Sequence, residues 1–295
     1  MRALTLASAS AELAPARAVP PPPLRRSTRA SVIATPAGRV GLILLLLTLA
    51  LAVVAPMFVR GDPFALTGAA LAPPTMHHPM GTDALGRDVW AGVVHGGRAS
   101  LLIAAAVVIV AVACGGAVGL VAGYRGGLTD DALSRGTELF QVMPRLFLVA
   151  IVIALFGPGV DRLVLTLGLT SWPVLARVVR SEVLATRTIE FVLAAEALGA
   201  TRTYIARRVL LPNILPSVLV MTGLLFGQVL LTEASLGFLG LGDPNTLSWG
   251  LLVGESQGFQ RTAWWLAVFP GAAITMAILA FNLLADALSS ALGSR

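Results

Sequence analysis

Residues 40–59 read VGLILLLLTLALAVVAPMFV. No position in this run is charged, and Thr48 carries its one hydroxyl. About 20 apolar residues in a helix cross the ~30 Å hydrocarbon core of a bilayer. In hydrocarbon each backbone N–H and C=O must be satisfied internally, so a single run of this kind has to be helical. The stretch therefore predicts a membrane-spanning helix. Five more apolar runs follow, at about 99–123, 139–157, 162–180, 214–236 and 265–288. The third opens with Gln141, Pro144 and Arg145, and the fourth contains Trp172, Pro173, Arg177 and Arg180, so these two are the least regular. The expectation is an all-α polytopic membrane protein with six transmembrane helices. Residues 39–98 would hold the first helix and an external segment, and residues 99–290 the main membrane domain.

Composition agrees with this class. Of 295 residues, 56% are hydrophobic and 12% charged, against about 25% charged in soluble domains. The mean hydropathy is +0.85. All 21 basic residues are arginine. Without lysine the chain cannot carry a P-loop, nor a Schiff-base nucleophile. A single cysteine, Cys114, makes no intramolecular disulfide and no zinc cluster. The pI near 11 is read as membrane topology, with no nucleic-acid partner.

Residues 1–38 are rich in Ala, Pro, Ser and Arg, with PPPP at 20–23 and no apolar core for a signal peptide. They are read as a disordered cytoplasmic tail. With the N-terminus inside, Arg60, Arg87, Arg98, Arg162 and Arg261 fall outside and the other sixteen arginines inside. The positive-inside rule supports this orientation, and six spans then return the C-terminus to the cytoplasm.

One long loop interrupts the apolar pattern on the inner side, and within it residues 194–212 read AAEALGATRTYIARRVLLP. Thr188 is the expected N-cap of a short helix, with Glu190 in its first turn. Phe191, Ala194, Ala195 and Leu198 recur at i, i+3, i+4 and i+7, which makes one apolar helix face. Gly199 ends the run, Thr201 caps a second helix through Ile205 towards Val209, and Pro212 with Asn213 marks the start of the fifth span. The loop, about 188–211, reads as helix, turn, helix. Its exposed face is small and apolar, rimmed by Arg202, Arg207 and Arg208. Such a face fits a groove on another protein or lies on membrane lipid, and spacing leaves both open.

The same stretch resembles the EAA motif of permease subunits in binding-protein-dependent ABC importers. That motif is Glu-Ala-Ala, three residues, Gly, nine residues, then Ile-x-Leu-Pro. Ala194-Ala195, Gly199 and Val209-Leu210-Leu211-Pro212 match its spacing, while Leu193 replaces the glutamate and Val209 the isoleucine. Four further stretches are similar to the dipeptide, oligopeptide and nickel permeases: HPMGTDALGRDVWAGVVHGGRASL at 78–101, SWPVLARVVRSEVL at 171–184, EASLGFLGLGDPNTLSWG at 233–250 and AFNLLADAL at 280–288. They look like the C-type of the two permeases, with Ala285 where a glycine is expected.

The resemblance implies the type I ABC importer permease fold in a bacterial inner membrane. It implies four kinds of partner: a second homologous permease, two ATP-binding subunits, an external substrate-binding protein and the surrounding lipid. ATP binding and hydrolysis belong to the partners, so no cofactor is expected in this chain. Half of a passage for peptides or a related solute falls to it. The loop becomes the coupling segment, with Ala194, Ala195, Glu196, Gly199, Leu211 and Pro212 expected to dock on the ATPase. The rival reading is a self-sufficient secondary transporter or channel.

Other residues carry narrower expectations. Glu233 near the outer end of the fifth span is a candidate passage-lining acid, though it also suits the interface or a helix end. His77 and His78 lack the spaced carboxylate or cysteine of a metal site. Asp83 and Asp88 are expected to shape their loop, Asp130 and Asp131 to cap the third helical region, and Arg177 and Arg180 to snorkel. Trp249, Trp264 and Trp265 suggest an aromatic belt. Gly115, Gly116 and Gly119 suggest close helix packing. The scattered Ser, His and Asp residues form no catalytic set.

Overall fold

The computed structural model describes Ile33, residues 35–59 and residues 62–293. The predicted tail therefore lies mostly outside the described residues. The first helix, α1 (Pro36–Leu49), starts earlier than its apolar run. Thr35 caps it by accepting from the Gly38 amide at 3.0 Å. It continues through a π-helical stretch, Ala50–Val54, into α2 (Ala55–Phe58). Next come α3 (Val89–Arg125), α4 (Gly127–Val142), α5 (Arg145–Phe156), α6 (Val160–Thr186), α7 (Glu190–Ala197) and α8 (Arg202–Tyr204). A second π stretch, Ile205–Leu210, leads into α9 (Leu211–Phe238). The short α10 (Trp249–Glu255) and the long α11 (Trp265–Gly293) complete the order. Among the described residues there is no strand, only two isolated bridges at Leu66–Arg87 and Thr82–Asp88.

Among the described residues, five helices are long and apolar enough to cross a membrane. The sixth expected span is different. It consists of α4 and α5, bent by 75° at their junction. Pro144 causes the break. A residue before proline is pushed out of the helical region, and Met143 adopts φ −70°, ψ 123°. The twelve residues of α5 reach only ~18 Å at ~1.5 Å per residue. α4, which carries Asp130, Asp131, Arg135 and Glu138, is too polar to serve as the other half of an ordinary span.

The fifth span also departs from expectation. Pro212 does not start a new helix. The chain is helical without interruption over Arg202–Phe238. Proline has no N–H for the i−4 bond, and the π stretch just before it absorbs the defect, with Leu211 N reaching back to Ala206 O. The π stretch ahead of Pro56 is the same device.

α3 and α6 form the centre of the bundle, running parallel. Gly115, Gly119 and Gly123 repeat every four residues along one face of α3. A Cβ on them would lie 2.6 Å from Trp172 O, 2.5 Å from Ala176 O and 2.9 Å from Arg180 O. The two backbones are thus in direct contact, the geometry that small residues permit in membranes. Of the three glycines expected there, Gly115 and Gly119 take part. Gly116 meets nothing within 4 Å, because it sits one residue off the stripe. Gly123 extends the stripe instead.

α11 packs antiparallel to α9 and to α1. Gly41 lies against Leu283 and Leu284, and Gly223 against Ala285. The unusual alanine at 285 thus faces a residue without a side chain. Phe226 and Phe281 stack between α9 and α11, with ring centroids 3.9 Å apart.

Candidate functional site

At one end of the bundle α7 projects from the close of α6. Its start is not capped as expected. Thr188 turns back and donates to Ala185 O at 3.0 Å, while Ile189 holds the N-cap position without a side-chain bond. Its end follows the expected rule. Gly199 has φ +80°. Its N–H donates to Glu196 O at 2.9 Å and that of Ala200 to Ala195 O at 3.1 Å, the paired closure that a left-handed residue provides. Thr201 then caps the next helix, accepting from the Tyr204 amide at 3.3 Å.

One residue mounts this helix on the bundle. Val192 is fully buried, packed in a second core with Leu175, Val179 and Val183 of α6 and with Ile205, Leu210 and Ile214. The predicted face points the other way. Phe191, Leu193, Ala194 and Leu198 are exposed, as are Glu196 and Gly199, and Ala195 is half-buried. Arg202, Arg207 and Arg208 are exposed beside them in sequence. Leu211 and Pro212 are exposed as well, but they lie on α9, beyond the π stretch and not on α7. Between them and the cap, Leu210 points inward. Val192, Leu210 and Ile214 are not legible as anchors from spacing, since they fall off the 191/194/195/198 face.

Two polar contacts tie this mount to the bundle. Arg187 donates to Gly123 O at 3.0 Å, which satisfies a carbonyl at the end of α3. Arg180 clasps Asp130 with Nε on Oδ1 at 2.5 Å and an η nitrogen on Oδ2 at 2.7 Å. Asp130 is therefore not a helix cap. Gly126 holds that position, and Asp130 is drawn to α6 from the first turn of α4. Arg180, expected to snorkel, is held by the pair instead.

At the opposite end, residues 62–88 and 239–264 form the cover. Asp88 caps α3 through the Trp90 amide at 2.9 Å, and Asp83 accepts from the amides of Leu85 and Arg87, both at 2.8 Å. Their role is loop shape, as expected. His77 is exposed, and His78 Nδ1 lies 3.6 Å from Asp88. α10 folds back onto α9 with the two backbones touching. A Cβ on Gly237 would lie 2.4 Å from the Gly250 carbonyl carbon, and one on Gly254 2.5 Å from Gly237 O.

Glu233 sits at this junction, with 4% of its surface exposed. Ser100 Oγ of α3 donates to its Oε2 at 3.3 Å and accepts from the Trp249 amide at 3.0 Å. Ser248, the N-cap of α10, lines the crevice beside it. The carboxylate thus joins α3, α9 and α10. In this chain it faces the protein interior, beside a crevice of only about 10 Å³. That is about the room of one water.

The tryptophan belt needs correction. Trp249 and Trp265 are buried, and their indole N–H groups donate to Val93 O at 2.8 Å and Thr82 O at 3.1 Å. Of the three, Trp264 alone is exposed. A buried indole requires such a partner; the first turns of α3 supply one and the 62–88 segment the other.

A helical membrane bundle with a broken third span and an outward-facing apolar helix anchored through Val192 has the architecture of a transport permease. Residues 115–295 match the family model described as binding-protein-dependent transport system inner membrane component. The chain is 34% identical over 256 residues to the dipeptide transport system permease protein DppC of Alkalihalophilus pseudofirmus, covering 86% of this chain and 84% of the relative. It is equally identical, with the same coverage, to the oligopeptide transport system permease protein OppC of Bacillus subtilis. A Brucella suis protein, provisionally named a peptide transport system permease, is 36% identical over 87% of each chain. The chain belongs to this family. It is a multi-pass inner-membrane permease subunit with the type I fold of ABC importers.

Proposed function

We propose that this chain forms half of the passage of a peptide importer and that α7 is the surface on which an ATP-binding subunit docks. A second homologous permease completes the passage, a second ATP-binding subunit docks on that partner, and an external binding protein delivers the peptide. The relatives' names support the substrate class. Both termini are cytoplasmic in this reading, which the arginine distribution supports, so α7 faces the cytoplasm. ATP is hydrolysed on the partner subunits, and this chain converts that event into a tilt of its spans.

The observation that carries this reading is the mounting of α7. Its outer face is exposed and apolar, while Val192 packs against residues of α6, of the Ile205–Leu210 stretch and of α9, and the Gly199 turn closes its end. A push on α7 is therefore delivered to two spans. The test places a cysteine at Ala195 in a Cys114→Ser background, attaches a photo-crosslinker from the cytoplasmic side, and identifies the adduct by mass spectrometry. Capture of a P-loop ATPase is expected. Capture of lipid alone, in a chain that still transports, overturns the docking and favours a stand-alone carrier. Uptake of labelled dipeptides, lost on deletion of this chain, tests the substrate class separately.

A further inference from the structure

A groove of about 630 Å³ lies between α1, α3, α9 and α11, away from both sites described above. Its walls are aliphatic, from Leu45, Leu49 and Val53 on one side and Leu101 and Ala105 on the other. The stacked Phe226–Phe281 pair also lines it. Thr48 lies in the groove but donates its hydroxyl to Leu44 O at 2.8 Å, so it offers no free donor.

Among the described residues, Arg98 is the one charged residue lining the groove. Its side chain is exposed, and among the described residues it has no hydrogen bond or ion pair. It stands immediately before the apolar run that begins at residue 99. The neighbouring Gly97 lies against Ala52 of the π stretch, which fixes Arg98 at that level of the wall. From Arg98 the α3 wall runs ~10 Å to Ala105, at ~1.5 Å per residue.

A guanidinium at the edge of hydrocarbon, over an aliphatic groove, matches a phosphodiester with an acyl chain below it. Arginine binds phosphate through two parallel N–H donors and keeps its charge throughout. We propose that this groove binds one anionic phospholipid, its phosphate on Arg98 and its acyl chain along Leu101 and Ala105 towards the phenylalanine pair. A helix from another subunit suits the groove less well. An apolar helix would leave Arg98 unpaired. The proposal is independent of what the permease carries.

The test uses the full chain, purified with the subunits that accompany it. It is reconstituted with photoactivatable phosphatidylglycerol or phosphatidylcholine, and the adducts are mapped by mass spectrometry. Adducts are expected on peptides containing residues 45–57 and 98–105. One arginine near the surface contributes ~1 kcal/mol towards an anionic lipid, so phosphatidylglycerol should label about fivefold more strongly. Arg98→Gln should bring the two lipids level, while Arg98→Lys should keep most of the preference. Ala105→Phe, in protein that remains monodisperse, should reduce labelling by both lipids by filling the groove. Equal labelling of the two lipids by the unaltered chain overturns the proposal. So does a preference that survives Arg98→Gln. Absence of lipid adducts from these peptides, as when another subunit fills the groove, overturns it as well.

Discussion

Gly119 and Gly116 are three residues apart and answer to different surroundings. A Cβ on Gly119 would lie 2.5 Å from Ala176 O and 2.7 Å from Val179 Cβ, while one on Gly116 meets nothing within 4 Å. Gly119→Val should therefore force α3 from α6 and cost ~1–3 kcal/mol, as overpacking does, whereas Gly116→Val should be nearly neutral. Thermal unfolding in detergent, followed by size-exclusion fluorescence, distinguishes the two. Glu233 makes a second residue-scale case. Glu233→Ala removes the acceptor of Ser100 and should cost ~1–3 kcal/mol for the buried hydroxyl left unpaired. Glu233→Gln, which keeps an acceptor, should cost less. If both variants unfold alike, the carboxylate does not hold this junction. That residue 233 was special was legible, because an acid in an apolar run needs a reason. Its partners were not, since Ser100 lies 133 residues away in sequence.

At the scale of elements, α7 is defined by its closure. Gly199 has φ +80°, a conformation that costs a residue with a Cβ ~1–2 kcal/mol. Its own surroundings are open, so the strain is confined to the turn. Gly199→Val is expected to leave insertion and membrane abundance intact and to reduce uptake severalfold. Uptake equal to the unaltered chain at equal abundance would sink the coupling role. The ends of α7 and α8 were largely legible, because Gly199 and Thr201 act through their immediate neighbours. The failure at Thr188 has a local cause too. Its hydroxyl found a carbonyl in the last turn of α6, and one-dimensional reading does not rank the two bonds. The broken third span was half legible. Pro144 and its polar flank marked the irregularity, but the 75° bend depends on where α4 is held.

For the whole molecule, the hold on α4 is the Asp130–Arg180 pair. It joins two helices whose residues are 50 apart, close to the Arg187 contact that ends α3. If α7 is the docking surface proposed above, motion delivered through it to α6 is shared with α4. Asp130→Arg and Arg180→Asp are each expected to lower uptake. The double exchange should restore part of it, since the opposite charges meet again. A double variant no better than the worse single one would show that the pair is not a coupling element. The conservative changes Asp130→Asn and Arg180→Gln, assayed for membrane abundance, separate loss of folding from loss of transport.

What the sequence determined by itself was the solvent. Apolar runs of about twenty residues have to be helices in hydrocarbon, and five such runs with a sixth broken at Pro144, together with their glycine and proline punctuation, specified the class and the repertoire of turns. These are local consequences of backbone hydrogen bonding and side-chain polarity. Only the tertiary structure decided which glycines carry a neighbouring backbone and which way each tryptophan faces. It alone showed what Glu233 touches and that Pro212 lies within a continuous helix. In hydrocarbon, polarity does not distinguish the face that meets a neighbouring helix from the face that meets lipid. That choice is made by close packing and by hydrogen bonds between residues far apart in the chain, and neither leaves a periodic trace.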